Sequence, residues 1–148
     1  MSAIFDQAGV RFAYPENWTI ESPPDDEAEL QVTASSPATA FWSLSVYEGL
    51  RDTRALLEEV LQAMQAEYPA LEHDPADEIV DGTPVAGYDL SFYCLDLTNT
   101  AWVRVFHRRR STCLLLCQAE DQEFDDVEPV FEAMTACLMR PELLTPSE

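Results

Sequence analysis

The chain has no lysine: its 8 basic residues are all arginine, against 28 acidic ones, for a formal charge of −20. Such a field repels phosphate backbones and anionic lipid headgroups, which argues against nucleic acid or a membrane surface as a direct partner. Glycine is scarce too, 4 in all. No glycine-rich phosphate loop, dinucleotide fingerprint or Gly-x-Ser-x-Gly elbow can be assembled from so few, which disfavours nucleotide-dependent catalysis. No apolar run approaches the roughly 18 residues of a membrane span. The opening MSAIFDQAG also lacks the basic start and apolar stretch of a secretory leader. A cytoplasmic location is the expectation.

Cysteine is present at 4 positions, Cys94, Cys113, Cys117 and Cys137. Cys113 and Cys117 fall in the strand-like run TCLLLCQ, which places them roughly 13 Å apart. That distance is beyond a disulfide or one tetrahedral ion. Reduced, apolar-behaving thiols are expected.

What the sequence does have is enough apolar material, 47% over 148 residues, for one domain that buries about two-thirds of its unfolded surface. Val10 to Tyr14 read as a short strand. Pro15-Glu16-Asn17 break it, and Trp18 to Ile20 resume extended structure, a pattern that predicts a hairpin corner pinned by Tyr14 and Trp18. A polar connection over 22–29 leads into period-2 alternation at Leu30, Val32 and Ala34, then at Trp42, Leu44 and Val46. Both stretches are strands. Asp52 stands as the N-cap of a helix over 52–68, with Leu56, Leu57, Val60, Leu61, Met64 and Tyr68 at helical spacing before Pro69.

From Leu71 to Gln118 the punctuation predicts an antiparallel meander with turns at Asp81-Gly82, Thr98-Asn99-Thr100 and Arg108-Arg109-Arg110-Ser111. Pairing across the last two turns opposes Cys94 to Arg104 and Phe92 to Phe106, then Arg104 to Leu115 and Phe106 to Cys113. Both faces of that sheet come out largely apolar, so both need cover, or one is a binding surface. A second helix near 126–138 supplies some cover, with Pro129 tolerable only in its first turn. The tail from about 140 is expected to be loose. The fold class is α+β: an antiparallel sheet of about six strands flanked by helices.

With these elements in order, the chain resembles the PsbP/Mog/DcrB-like superfamily. The matching residues are VRFAYPENWTI, the strand Phe41 to Val46 before the first helix, the strand Tyr88 to Tyr93 and the closing run Phe131 to Leu138. The resemblance covers nearly the whole chain and implies a fold with hardly any chemistry. Members act as binding modules: subunits docked on a photosystem, factors that bind a small GTPase, and cytoplasmic Eag-type chaperones that shield apolar segments of secreted effectors. This chain shows no lumenal targeting segment and no GTPase-binding patch that matches residue by residue, so no family site is carried over.

A non-catalytic protein-binding module, adaptor or chaperone-like, is therefore the expected function. Its binding surface is placed on the sheet face with Trp102, Arg104 and Phe106, together with Trp42. Arg104, flanked by apolar residues, needs an acceptor, for which Asp96 is the diagonal candidate. Otherwise it marks the floor of a groove for a partner's peptide. Arg108, Arg109 and Arg110 form a positive spot suited to a carboxylate-rich partner or an adjacent subunit. An isologous dimer through a strand edge suits a domain of this kind. The alternative is a small-ligand-binding protein or hydrolase with a cleft near His107 or the His73/Asp74 pair. His73, Asp74 and Asp77 match no strong metal spacing and read as a solvated loop. Neither metal nor cofactor is expected.

Overall fold

The computed structural model describes residues 1–140, so the tail expected to be loose lies outside the described residues. In chain order the elements are β1 (Ser2–Gln7), β2 (Val10–Pro15), β3 (Thr19–Glu21), β4 (Leu30–Ser35), β5 (Phe41–Glu48), α1 (Thr53–Glu67), β6 (Glu72–Pro75), β7 (Glu78–Val80), β8 (Thr83–Cys94), β9 (Leu97–Arg108), β10 (Ser111–Glu120) and α2 (Asp121–Met139). The fold is α+β, as expected, but its main antiparallel sheet has 8 strands where about six were foreseen. Their order is β3-β4-β5-β10-β9-β8-β6, with β7 also on β8, and β1-β2 form a separate ribbon.

Each layer follows from side-chain alternation. Trp42, Leu44 and Val46 of β5 join Phe106, Leu115 and Cys117 on one face, under α2 and the β1-β2 ribbon. Leu57 and Leu61 of α1 cover Leu90, Phe92, Val103 and Val105 on the other. The part of that second face formed by β4 and β5 is polar instead. There Gln31 Nε2 donates to Ser43 Oγ at 3.1 Å, Thr33 and Ser43 hydroxyls meet at 3.0 Å, and Ser45 Oγ donates to Gln31 Oε1. These groups satisfy one another, so that half of the sheet needs no helix over it.

Helix α1 begins as expected, with the Asp52 carboxylate accepting the Ala55 N–H at 3.0 Å. Helix α2 starts earlier than the expected 126, because Glu120 caps it by accepting the Gln122 N–H at 2.7 Å. Pro129 thus lies well inside the helix, not in its first turn. It is exposed, as is Asp125, whose carbonyl loses the helical partner that the missing N–H would have supplied.

Two expected turns need correction. The Tyr-Pro-Glu-Asn-Trp break is a turn, with the Trp18 N–H donating to the Pro15 carbonyl at 3.0 Å. It is not a hairpin corner, because β2 pairs with β1 and β3 with β4, so it carries the chain from ribbon to sheet. Strand β1 itself carries no strong alternation and went unpredicted. The Thr98-Asn99-Thr100 turn does not exist: Asn99 sits mid-strand, buried, opposite Phe92 and Glu120. The chain reverses at Leu95-Asp96, both left-handed (φ 54° and 65°). The β9-β10 register is as expected, whereas on β8 Gly87 opposes Arg104 and Val85 opposes Phe106.

Leu95 is 91% exposed and in a conformation that costs an ordinary residue about 1–2 kcal/mol. Replacing Leu95-Asp96 by Asn-Gly, the pair that suits a two-residue loop with both φ positive, is expected to stabilise the protein by about 1 kcal/mol. The urea midpoint should rise at unchanged m-value. An unchanged or lower midpoint would show that the turn is not strained.

Candidate binding cleft

Helix α2 crosses the sheet on its large residues, Phe124, Phe131, Met134 and Leu138, all buried. Between these contacts its last turns present the small Thr135 and Ala136 to the sheet, beside a cleft of about 260 Å³. Its walls are Val80, Val85, Leu115 and Met139, its floor Trp102, Arg104 and Phe106, and its rim Glu78 and Glu132.

Arg104 is the pivot. Its side chain is 11% exposed and runs across Gly87, where an added Cβ would lie 2.8 Å from Arg104 Cδ and 2.9 Å from the Ala76 carbonyl oxygen. Only a residue without a side chain fits there. Arg104 Nη2 donates to Asp89 Oδ1 at 2.8 Å, and Nη1 donates to the carbonyls of Tyr88 and Val103, each at 3.1 Å. Glu78 Oε2 stands 3.6 Å from Nε. The guanidinium carbon lies 5.4 Å from the centre of the Trp102 ring, within reach of a cation–π contact. Trp102 in turn packs edge-on against Phe124 and Phe131.

The same glycine organises the sheet edge. Its carbonyl accepts the Ala76 N–H at 2.8 Å, and its own N–H donates to Asp77 Oδ1 at 3.1 Å. A side-chain carboxylate therefore takes the place of a ladder carbonyl where the edge breaks between β6 and β7. That hydrogen bond, with Arg54 at 2.6 Å as second partner, holds the Asp77 carboxyl below its ordinary range.

Of the residues singled out in the sequence, Trp102, Arg104 and Phe106 come together in the cleft. The remaining site expectations meet a different outcome. Asp96 is not the partner of Arg104: it lies in the exposed β8-β9 turn, and Asp89 takes its role because the turn sits three residues earlier than the sequence suggested. Trp42 offers no surface at all, being fully buried with Nε1 donating to Thr135 Oγ1 at 3.1 Å. Arg108, Arg109 and Arg110 sit at the β9-β10 turn, away from the lining of the cleft. His107 is exposed and bonded to the Arg51 carbonyl at 2.6 Å. His73 packs edge-on against Tyr88, and with Asp74 it belongs to strand β6, not to a loop. Neither histidine lines the cleft.

Burial pushes the Cys113 thiol up to about 11, and the fully buried Cys117 higher still, so both stay protonated at neutral pH. All four cysteines are free. Sequence reasoning missed Gly87, Asp89, Thr135 and Ala136. The usable signal was an isolated glycine inside a strand, which marks a close approach of neighbouring groups.

No protein-family model matches the chain, and no curated protein sequence does. Solved structures do. Cyanobacterial PsbP (CyanoP) from Synechocystis sp. PCC 6803 is similar with a TM-score of 0.65 at 11% identity, over 91% of this chain and 89% of its own. LpqN, involved in cell envelope biogenesis of Mycobacterium tuberculosis, is similar with a TM-score of 0.59 at 11% identity, over 90% and 87%. PA94 from Pseudomonas aeruginosa, a protein of unknown function, is similar with a TM-score of 0.53 at 13% identity, over 88% and 91%. At such identities the likeness establishes a PsbP-like fold.

Gly87→Ala should destabilise the protein by about 1–3 kcal/mol through overpacking against Arg104. Asp89→Ala should cost about 2 kcal/mol by leaving a charge-assisted hydrogen bond unmade. Urea unfolding measures both, and wild-type midpoints would show that the guanidinium is not held as described. The stabilisation from Asp77 is present above the unfolded carboxylate pKa and is lost as the pH falls through the lowered folded value. The Gly87 amide shift should therefore titrate with a midpoint below 3.8, the ordinary value. A midpoint at or above it would exclude the brace.

Proposed function

We propose that this PsbP-like fold serves as a non-catalytic, protein-binding module, adaptor or chaperone-like, working in the cytoplasm with the cleft beside α2 as its docking site. The observation that carries the reading is an apolar cleft whose one cation is already satisfied. Arg104 has its carboxylate and carbonyl partners within the chain, so it shapes the floor and does not wait for an anionic substrate. At about 260 Å³ the cleft is smaller than the roughly 300–1,000 Å³ typical of small-molecule sites. It suits one or two apolar side chains anchored from a partner segment.

Charge narrows the partner further. Glu132 and Glu78 stand at the rim, and α2 carries acidic residues without a basic one. An apolar segment with basic flanks meets complementary charge there, and the net −20 steers it in. This agrees with the shielding of apolar segments that the superfamily resemblance implies. Among the described residues no helix is long and apolar enough to cross a membrane.

A photoreactive residue at position 132, on the rim, is expected to crosslink to a discrete protein in cells. Ala136→Trp, which fills the cleft, should reduce that adduct roughly tenfold or more, equivalent to about 1.4 kcal/mol. A label at position 59, on the exposed face of α1, should give none. An adduct equally strong from position 59, or unchanged by Ala136→Trp, would overturn the assignment of the cleft.

A further inference from the structure

Carboxylates outnumber cations 28 to 8 in this chain, and the arginines divide sharply in how they use them. Arg11, Arg54, Arg104 and Arg140 each have a carboxylate within 4 Å, at 3.5, 2.6, 2.8 and 3.9 Å. Arg51 lies over the Tyr47 ring, 4.4 Å from its centre. Among the described residues, Arg108, Arg109 and Arg110 have neither kind of partner, although they are consecutive and carry three like charges. In so acidic a protein, three consecutive arginines with no carboxylate within 4 Å are a specific arrangement.

The spot is also built. Arg109 occupies the left-handed position of the β9-β10 turn (φ 60°), and the Arg110 carbonyl is fixed by the Gly49 N–H at 3.0 Å. Arg108 is half-buried and spends one N–H on the Gly9 carbonyl, at 2.9 Å, in the turn of the β1-β2 ribbon. Arg109 follows it to the same turn, with Nη1 3.1 Å from where a Cβ on Gly9 would be. Between ribbon and sheet they line a second cleft, of about 280 Å³, with Ser111 and Glu29. The Glu29 carboxylate is turned to the Ser111 hydroxyl, which donates to it at 2.9 Å, and it lies beyond 4 Å from both guanidiniums. Burial and the neighbouring Arg109 both disfavour the charged form of Arg108, as expected for cations gathered without a counter-charge.

We propose that Arg108 and Arg109, with the charge of Arg110 beside them, form a site for a single compact oxyanion, a carboxylate or a phosphate monoester, seated against the cleft between the β1-β2 ribbon and the β9-β10 turn. Guanidinium forks match the planar or tetrahedral oxygens of such a group. An extended polyanion is disfavoured, since the field of the whole chain opposes it beyond the immediate contact. The site is separate from the cleft beside α2 and shares no residue with it.

Titration of the ¹⁵N-labelled protein with inorganic phosphate, and separately with acetate at matched ionic strength, tests this site. Saturable shifts are expected at the Gly9, Arg109 and Ser111 amides, with those of α1 unmoved. Arg109→Asn, which tolerates the left-handed backbone, should weaken binding roughly tenfold. Glu29→Gln should tighten it several-fold by removing the one facing carboxylate while keeping an acceptor for Ser111. Tighter binding of phosphate than acetate identifies a phosphate-bearing ligand, and the reverse a carboxylate. Shifts that grow linearly without saturating, or an affinity unchanged in Arg109→Asn, would overturn the proposal.

Discussion

Strands β9 and β10 are apolar on both faces, and most of the architecture follows from the need to cover them. Leu115 and Cys117 point into one core, and Val103 and Val105 into the other. A sheet of this kind cannot leave either side to water. Helix α1 shields one face and α2 with the β1-β2 ribbon the other. Where the second face turns to serine, threonine and glutamine on β4 and β5, no helix is needed.

Within that frame, one cation sits where an apolar residue would be ordinary. Arg104 could be exchanged for a hydrophobic side chain only by repacking Gly87, Asp89 and Trp102 together, since each is shaped to the guanidinium or its stem. An ion pair whose cation is buried, as here against a half-exposed Asp89, contributes little net stability over such an exchange, because desolvation of the guanidinium offsets much of the attraction. Its structural effect is geometric. With Trp102 and Phe106, Arg104 forms the floor of the cleft that Thr135 and Ala136 border from α2.

The sequence was most legible where one periodicity ran uninterrupted. Helix α1, the existence though not the start of α2, the alternation of β4 and β5, and the β9-β10 register follow from spacing alone. The β8-β9 register did not, because the reversing residues are Leu95 and Asp96, neither of them a glycine. The Thr-Asn-Thr run that looks like a turn continues the strand, its asparagine amide bonded to the Leu97 carbonyl. That error moved every partner on β8. It turned the correct demand for a carboxylate beside Arg104 toward Asp96 instead of Asp89, and it hid the meaning of Gly87. Trp42 was correctly assigned to its face, but alternation does not say whether a face is covered. The cleft itself could not be read, since its lining comes from elements far apart in sequence.

The pairing of β5 with β10 has a consequence for how the chain acquires its structure. Those strands are neighbours in the sheet, yet α1 and four strands lie between them in sequence. The loop between them must close before β3, β4 and β5 are joined to the rest, and such long-range closure is slow. During synthesis, Trp42, Leu44 and Val46 emerge from the ribosome well before β10 and α2 exist to cover them. The apolar face of β5 is therefore left uncovered in the nascent chain until β10 and α2 have been made, a state prone to aggregation.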